Sequence, residues 1–268
     1  MSQSSRPQDT VTYLDNIHDY FGALLEYYDE LFPLAEGAVG FISSLGEEFR
    51  SNFPPEDSPL CRYLGVGCAT GALENRLAGN GFDITGIDAN AEMVATARRR
   101  MRRGLSSTRF FELSTLEMGR FLKEASFNLI SCLENTLPFL GDEVLLRKFF
   151  HDARKLLAPE GVLAIQTLNF DGLPEEKPVR LPERSSIRVK LETGYRPDPD
   201  GKTTYEAALE LGNGKRIILQ SGARIVPTTT DKMESWAKAA GFAKAERFGD
   251  YARGPFSPES ENAVMLFR

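Results

Sequence analysis

The sequence has few of the features that would place a protein in a membrane or an oxidising compartment. No apolar stretch approaches the roughly 18 residues of a membrane span, and the N-terminal MSQSSRPQDT lacks the apolar core of a secretory signal. The three cysteines, Cys61, Cys68 and Cys132, are odd in number and form no CxxC pair, which argues against a disulfide framework and a zinc site. We therefore expect a cytoplasmic protein that binds no metal ion and no membrane.

Histidine is also scarce, and acidic residues outnumber basic ones. The two histidines, His18 and His151, lie far apart without acids at ligand spacing, which argues against metal chemistry and against a Ser/His/Asp triad. The net charge is −6, whereas nucleic-acid binding requires a basic surface that neutralises phosphates. The one basic run, RRRMRRG at 98–104, fits the last turn of a helix that ends at Gly104. We expect no nucleic-acid partner.

From Leu60 onward, short apolar runs alternate with amphipathic segments. The predicted strands are 60–66, 82–87, 108–113, 127–133 and 161–168, and the predicted helices are 72–80, 91–103 and 142–157. A later helix at 230–240 and strands near 242–248 and 263–267 bring the sheet to seven strands. The alternation is typical of right-handed βαβ units and predicts an α/β fold with a doubly wound, Rossmann-like, mostly parallel sheet.

Two regions depart from this alternation. Two helices, at 13–29 and 36–49, precede the first core strand. Between 172 and 227, the segments IRVKLETGY, TTYEAALEL and KRIILQSGARIV alternate polar and apolar residues around turn sequences, including Asn213-Gly214. The sequence therefore predicts an inserted three-stranded antiparallel sheet and four regions: 1–59, a core at 60–171, the insertion at 172–227, and 228–268 completing the core.

The stretch LGVGCATG, residues 64–71, forms the turn after the first core strand. Ligands of doubly wound sheets bind beyond the carboxyl ends of the strands, so this turn must let a ligand approach the backbone. Gly67, Ala69 and Gly71 keep large side chains out of the way. Asp88 ends the next strand, where an ionised carboxylate can accept two hydrogen bonds from a ribose diol. Together they predict a nucleoside-containing cofactor.

Two cofactors fit a turn and an acid in this arrangement. A nicotinamide dinucleotide usually requires the fingerprint GxGxxG, and Thr70 stands here in place of the third glycine. Residues 64–98 instead resemble the first two motifs of class I S-adenosylmethionine-dependent methyltransferases, and the resemblance continues in FNLISCLENTLPFL and LLAPEGVLAIQTLNFD. The inserted strands and the C-terminal segment from Gly241 resemble the branch that includes the glycine and sarcosine N-methyltransferases.

The resemblance implies roles for residues on both sides of the reaction. S-adenosylmethionine would contact Gly67, Cys68, Ala69, Gly71, Asp88, Ala89, Met93, Thr115, Leu116 and Leu133. Glu134, Asn135 and Tyr28 would act at the methyl acceptor, and Arg188, Tyr195 and Arg224 would bind it. Region 1–59 would cover the cofactor, and region 172–227 would cover the acceptor.

Several of these residues have ordinary structural alternatives. Met93 can fill the core between helix and sheet, and Tyr28 can pack on its own helix. Asn135 can cap a turn, Glu134 can be a solvated loop acid, and Arg188 can be an exposed strand arginine.

The chain departs from the family pattern at two positions of the turn. The acid that usually opens the first motif is Gly65 here, so the amino end of the cofactor needs another partner. The middle glycine is Ala69, which fits the turn if its φ is negative. Three functions remain open: methyl transfer to a small molecule, with nitrogen slightly preferred over oxygen, NAD(P)-dependent oxidoreduction, and S-adenosylmethionine binding without catalysis.

Overall fold

The computed structural model describes residues 11–101, 107–174, 176–199 and 202–268. The α-helices of these residues are α1 (Ile17–Leu24), α2 (Tyr28–Leu31), α3 (Glu36–Arg50), α4 (Ala72–Leu77), α5 (Ala91–Arg100), α6 (Met118–Phe121), α7 (Glu143–Leu156) and α8 (Thr230–Ala239). The first seven strands are β1 (Val11–Leu14), β2 (Cys61–Val66), β3 (Phe82–Asp88), β4 (Thr108–Glu112), β5 (Phe127–Cys132), β6 (Leu157–Leu168) and β7 (Val179–Arg180). The others are β8 (Arg184–Ser185), β9 (Val189–Pro197), β10 (Thr203–Leu211), β11 (Arg216–Leu219), β12 (Ala223–Ile225), β13 (Ala245–Phe248) and β14 (Asn262–Phe267).

The chain folds as two compact units. The larger unit contains Leu34–Leu173 and Val226–Arg268, and the smaller one combines the segment up to Pro33 with Pro174–Ile225. The predicted helix end at Gly104 lies outside the described residues. None of the helices in the described ranges is long and apolar enough to cross a membrane.

The larger unit contains the predicted seven-stranded sheet. Its strand order is β13-β14-β6-β5-β2-β3-β4. The central strands β4, β3, β2, β5 and β6 are parallel, and β14 runs antiparallel to both β6 and β13. The chain therefore reverses its direction of winding between β2 and its neighbours β3 and β5, and such a switch point is where doubly wound sheets bind ligands.

Helices cover both faces of this sheet, as double winding requires. On one face Phe149 and Phe150 of α7 and Trp236 of α8 belong to a buried cluster with sheet residues such as Ile130. On the other face, α3 belongs to a second buried cluster, and its Phe41 is 3% exposed. Because both faces of the sheet bury apolar side chains, the sequences of the central strands are nearly continuous apolar runs.

The helix ends follow local sequence signals. The Asn90 side chain accepts hydrogen bonds from the N–H groups of Glu92 and Met93 at the start of α5, so Asn90 is the N-cap of this helix. Helix α8 stops before Gly241, whose φ of 95° is easy only for glycine.

The smaller unit contains the predicted antiparallel strands and extends them. Strands β9, β10 and β11 pair in antiparallel fashion, β7 and β8 pair with β9, and β12 pairs with β10. Strand β1 adds to the edge of β11 in parallel register. The helix predicted from Tyr13 is therefore wrong at its start, because these residues satisfy the open backbone groups of an edge strand. The helical part begins at Ile17, after the Asn16 cap.

Candidate functional site

The turn after β2 is fixed by backbone hydrogen bonds to the end of β3. The N–H groups of Gly67 and Cys68 donate to the Ile87 carbonyl at 2.9 and 3.0 Å. Gly67, Ala69 and Gly71 have φ values of 71°, 45° and 68°. The negative φ that would let an alanine fit this turn without strain is therefore not found at Ala69, and the left-handed conformation costs an alanine about 1–2 kcal/mol.

Asp88 explains why Ala69 adopts this strained conformation. The Ala69 N–H donates to Asp88 Oδ2 at 2.9 Å, and the Asn90 N–H donates to Asp88 Oδ1 at 2.8 Å. The carboxylate thus ties the turn to the end of β3 from a half-buried position. An ionised carboxylate has about four lone-pair sites and accepts from hydroxyl donors as well as from N–H groups.

Four further residues predicted to contact the cofactor lie in the segments that follow β3 and β4. Ala89 is exposed beside the carboxylate, and Met93 lies buried, with 3% exposure, in the first turn of α5. The N–H of Leu113 donates to the Asp88 carbonyl at 2.9 Å, which brings the loop after β4 to the same edge. Thr115 and Leu116 follow in this loop and are both half-buried.

The β2 turn packs closely against the loop after β5. A Cβ built on Gly67 would lie 2.6 Å from Thr136 Cγ2, and one built on Gly71 would lie 2.7 Å from Ala97 Cβ. No larger residue fits at either position without displacing a neighbour. The turn is therefore a tight backbone cradle beside Asp88, and a glycine-rich turn next to a carboxylate fits an adenosyl cofactor.

The loop after β5 contains two consecutive strained residues. Glu134 and Asn135 have φ values of 52° and 58°, in the left-handed region that side chains disfavour. Gln166 on β6 stabilises this loop, because its Oε1 accepts from the Glu134 N–H at 2.7 Å. The Asn135 Oδ1 accepts from the Leu168 N–H at 3.0 Å, so this side chain also joins the loop to β6. Leu133, which precedes them, is buried.

The Glu134 carboxylate is exposed and has a phenol as its neighbour. Tyr251 Oη lies 3.3 Å from Glu134 Oε1 and 3.3 Å from Gln166 Oε1, and its single proton can serve one of them at a time. Burial and the nearby Glu134 charge raise the pKa of Tyr251, so the phenol stays protonated and donates. Gln166 and Tyr251 were not predicted as site residues, although a glutamine within the apolar strand β6 is an unusual signal.

A third carboxyl group is buried against β2, next to Gly65. Glu74 on α4 is 2% exposed, and a Cβ built on Gly65 would overlap its Oε1. Its Oε2 makes no hydrogen bond to any residue that the structure describes. Burial raises the pKa of Glu74 to about 7, against a lowering by its own backbone N–H, and the Asp88 charge adds a further rise. Two features of the sequence could have pointed to Glu74. It lies three residues before Leu77, on the same buried face of α4, and the acid that usually opens the first motif is absent at Gly65.

The buried thiols have no features of nucleophiles. Burial raises the pKa of Cys61 and of Cys132 to about 12, and burial followed by the Glu74 charge raises the pKa of Cys68. Within the described ranges, no group of three or more His, Cys, Asp or Glu side chains could hold a metal ion.

Two predicted aromatic residues lie in the smaller unit. Tyr28 begins α2, and its ring stacks on Phe32 with centroids 5.0 Å apart. Tyr195 on β9 is 4% exposed and lies 5.7 Å from the ring of Tyr205. Their predicted roles at the acceptor remain predictions.

The two predicted arginines also belong to the smaller unit. Arg188 forms ion pairs with Glu26 at 2.8 Å and with Glu30 at 2.6 Å, and its guanidinium lies over the Tyr27 ring. Arg224 is exposed on β12. A role for Arg188 in binding a substrate carboxylate would require it to exchange one of these acidic partners.

Comparison with known sequences identifies relatives of the chain. The sequence profile of the family described as Methyltransferase domain matches residues 64–161. A protein of Geobacillus sp. (strain WCH70), named as a methyltransferase, is 33% identical over 224 residues, which are 76% of this chain and 83% of that protein. The glycine/sarcosine N-methyltransferase of Aphanothece halophytica is 26% identical over 191 residues, 70% of this chain and 69% of that protein.

Solved structures share the fold. The CcbJ methyltransferase of Streptomyces caelestis superposes with a TM-score of 0.74 at 20% identity and covers 97% of this chain and 98% of that one. An S-adenosylmethionine-dependent methyltransferase of Clostridium acetobutylicum gives a TM-score of 0.72 at 18% identity, with 94% and 99% covered. At these identities the structures confirm the architecture.

Proposed function

Because the chain belongs to the class I S-adenosylmethionine-dependent methyltransferases, we propose that it methylates a small-molecule acceptor, with an amine nitrogen preferred over an oxygen. S-adenosylmethionine is the cofactor, which sets aside a nicotinamide dinucleotide. The amine is favoured by Glu134 in the loop after β5 and by the likeness to a glycine/sarcosine N-methyltransferase.

We assign some residues of the larger unit to the binding of the cofactor and others to the binding of the methyl acceptor. On the cofactor side, Asp88 would accept from the ribose hydroxyls, and the cradle at 67–71 would let the cofactor approach the backbone. The remaining contacts proposed for the cofactor are Cys68, Ala89, Met93, Thr115, Leu116 and Leu133.

The chemistry asks the protein for positioning more than for a nucleophile. When bound, S-adenosylmethionine supplies a methyl group on a positively charged sulfur, open to in-line displacement by an acceptor lone pair. The protein must hold the acceptor in line and keep water away, and these two tasks require no covalent intermediate. Buried, protonated thiols such as Cys68 agree with that requirement.

Glu134 is the observation that carries the choice of an amine. Its backbone is fixed in a strained conformation by Gln166, and its exposed carboxylate is oriented by the Tyr251 hydroxyl. A carboxylate attracts an ammonium ion and accepts a hydrogen bond from the neutral amine that reacts. Asn135, through its bond to Leu168, would keep the loop in place. The acceptor roles of Tyr28, Arg188, Tyr195 and Arg224, and the covering roles of regions 1–59 and 172–227, remain predictions from the family resemblance.

The test is methyl transfer to matched acceptors, followed as S-adenosylhomocysteine release. We expect turnover with amino acids or amino sugars and little with analogues in which a hydroxyl replaces the amine. Glu134→Gln should lower kcat/KM for the amine by about tenfold or more, since a charge-assisted hydrogen bond contributes about 1.5–3 kcal/mol.

Glu160→Gln is the matched control, because Glu160 is also an exposed glutamate with a left-handed φ, of 58°. Preference for hydroxyl acceptors, or equal losses in both variants, would contradict the amine proposal. Cofactor binding without turnover on any acceptor would favour a non-catalytic protein.

A further inference from the structure

Gly65 and Glu74 occupy one place in the larger unit. Gly65 is the fifth residue of β2, where a side chain would point into the space that the Glu74 carboxyl fills from α4. The same built Cβ would also lie 3.2 Å from Tyr63 Oη. The absence of a side chain at Gly65 is thus what makes room for a carboxyl group from the helix.

This carboxyl group has no partner that accounts for its burial. Glu74 forms no ion pair with any residue in the described ranges, and its Oε2 is without a hydrogen bond there. The titratable groups that interact electrostatically with Glu74 are Asp88, Tyr63 and Cys68, and none of them is a cation. Tyr63 Oη is itself engaged with Ser131 Oγ at 2.6 Å.

A buried carboxylate without a partner costs several kcal/mol, so it is retained where a ligand supplies the missing charge. The cofactor of this family carries an ammonium group on its methionine end. Glu74 lies on α4, the helix that follows the glycine cradle, and its carboxyl group lies against Gly65 of β2, the strand that precedes the cradle. We propose that Glu74 holds the ammonium group of S-adenosylmethionine and replaces, from the helix, the acid that Gly65 lacks on the strand.

This inference rests on the cofactor of the proposed function and not on the acceptor, so the two can fail separately. It also differs from a purely structural role, in which Glu74 would stabilise the turn regardless of ligand. The difference lies in which part of the ligand is recognised. S-adenosylhomocysteine has the amino-acid end, whereas 5′-methylthioadenosine shares the adenosyl group and lacks that end.

Isothermal titration of Glu74→Gln with both compounds separates the two roles. We expect affinity for S-adenosylhomocysteine to fall tenfold or more, and affinity for 5′-methylthioadenosine to stay within about twofold of the wild type. Glu92→Gln, an exposed acid in the first turn of α5, is the control and should change neither. Equal losses for both compounds, or no loss for either, would overturn the proposal.

A charge-relocation variant tests the replacement directly. Gly65→Asp combined with Glu74→Ala removes the overlap and returns the acid to the strand. It should recover most of the selectivity for S-adenosylhomocysteine over 5′-methylthioadenosine that Glu74→Ala alone loses. A double variant as unselective as Glu74→Ala would count against the shared role of the two positions.

The wild-type protein provides a test that depends on no variant. The Glu74 carboxyl, with a pKa of about 7, is mostly neutral at pH 6 and mostly ionised at pH 8. Affinity for S-adenosylhomocysteine should rise by up to about tenfold between these pH values, relative to 5′-methylthioadenosine. Asp88, Tyr63 and Cys68 interact electrostatically with Glu74, and 5′-methylthioadenosine corrects for their effect on the adenosyl end. A flat ratio contradicts the proposal.

Discussion

Replacing Glu74 by glutamine should change how the stability of the cofactor-free protein depends on pH. Burial raises the pKa of this carboxyl from 4.5 to about 7 in the folded protein. Below pH 4.5 the group is protonated in the folded and the unfolded chain and imposes no penalty. Between pH 4.5 and about 7 the unfolded chain ionises first, so wild-type stability falls as pH rises, by about 1.36 kcal/mol per pH unit.

The size of this stability difference depends on how much of the measured pH range lies below the folded pKa of Glu74. From pH 5.5 to pH 8, about 1.5 pH units lie below the folded pKa, which gives a loss of about 2 kcal/mol in the wild type. Glu74→Gln has the same shape and no titration, so it escapes this loss. The free energy of unfolding of the wild type minus that of the variant should therefore drop by about 2 kcal/mol over this range.

Urea denaturation at pH 5.5, 6.5 and 8 measures this difference without cofactor. Glu92→Gln serves as the control, because an exposed acid should give a difference that hardly changes with pH. A constant difference between the wild type and Glu74→Gln would refute the reasoning, since it would mean that Glu74 is solvated or paired in solution.

Two further substitutions test the strained turn and the C-terminal loop. Ala69→Gly should raise the free energy of unfolding by about 1 kcal/mol in denaturant titrations, because it relieves a φ of 45°. Ala95→Gly, within α5, should lower the free energy of unfolding by about 1 kcal/mol. Asn169→Ala should lower the melting temperature and cost about 2 kcal/mol, because the buried Asn169 amide donates to the carbonyls of Ser257, Pro258 and Ser260; an unchanged melting temperature would contradict that role.

The sequence carried enough information to predict the core sheet. Its signals are local: apolar runs for β2, β3 and β5, a cap at Asn90, and a stop at Gly241. The placement of Asp88 beside the glycine turn followed as well, because parallel strands align their carboxyl ends at one edge.

The departures arise where distant segments decide the conformation. Strand β1 forms because β11 offers an open edge some two hundred residues later, and the local helical spacing from Tyr13 does not reveal that edge. Ala69 adopts a positive φ because its N–H bonds to Asp88 on another strand. Local propensity is overridden in both cases by a non-local hydrogen bond.

The candidate site could be predicted only in part, because distant segments of the chain supply some of its residues. Asp88 ends β3 and Glu134 comes two residues after β5, so the topology of the sheet places both at its carboxyl edge. Glu74, Gln166 and Tyr251 enter the site from a helix, a strand interior and the C-terminal segment, and only the packed structure brings them there.

The central claim is that the cradle and Asp88 bind S-adenosylmethionine, and calorimetric titration tests it most directly. Wild-type protein should bind S-adenosylmethionine and S-adenosylhomocysteine with one site per chain and should not bind NAD(P). Asp88→Ala should weaken both by at least tenfold, through the loss of about 1.5–3 kcal/mol of charge-assisted hydrogen bonding. Binding of NAD(P) alone, or an affinity that is unchanged in Asp88→Ala, would contradict this account.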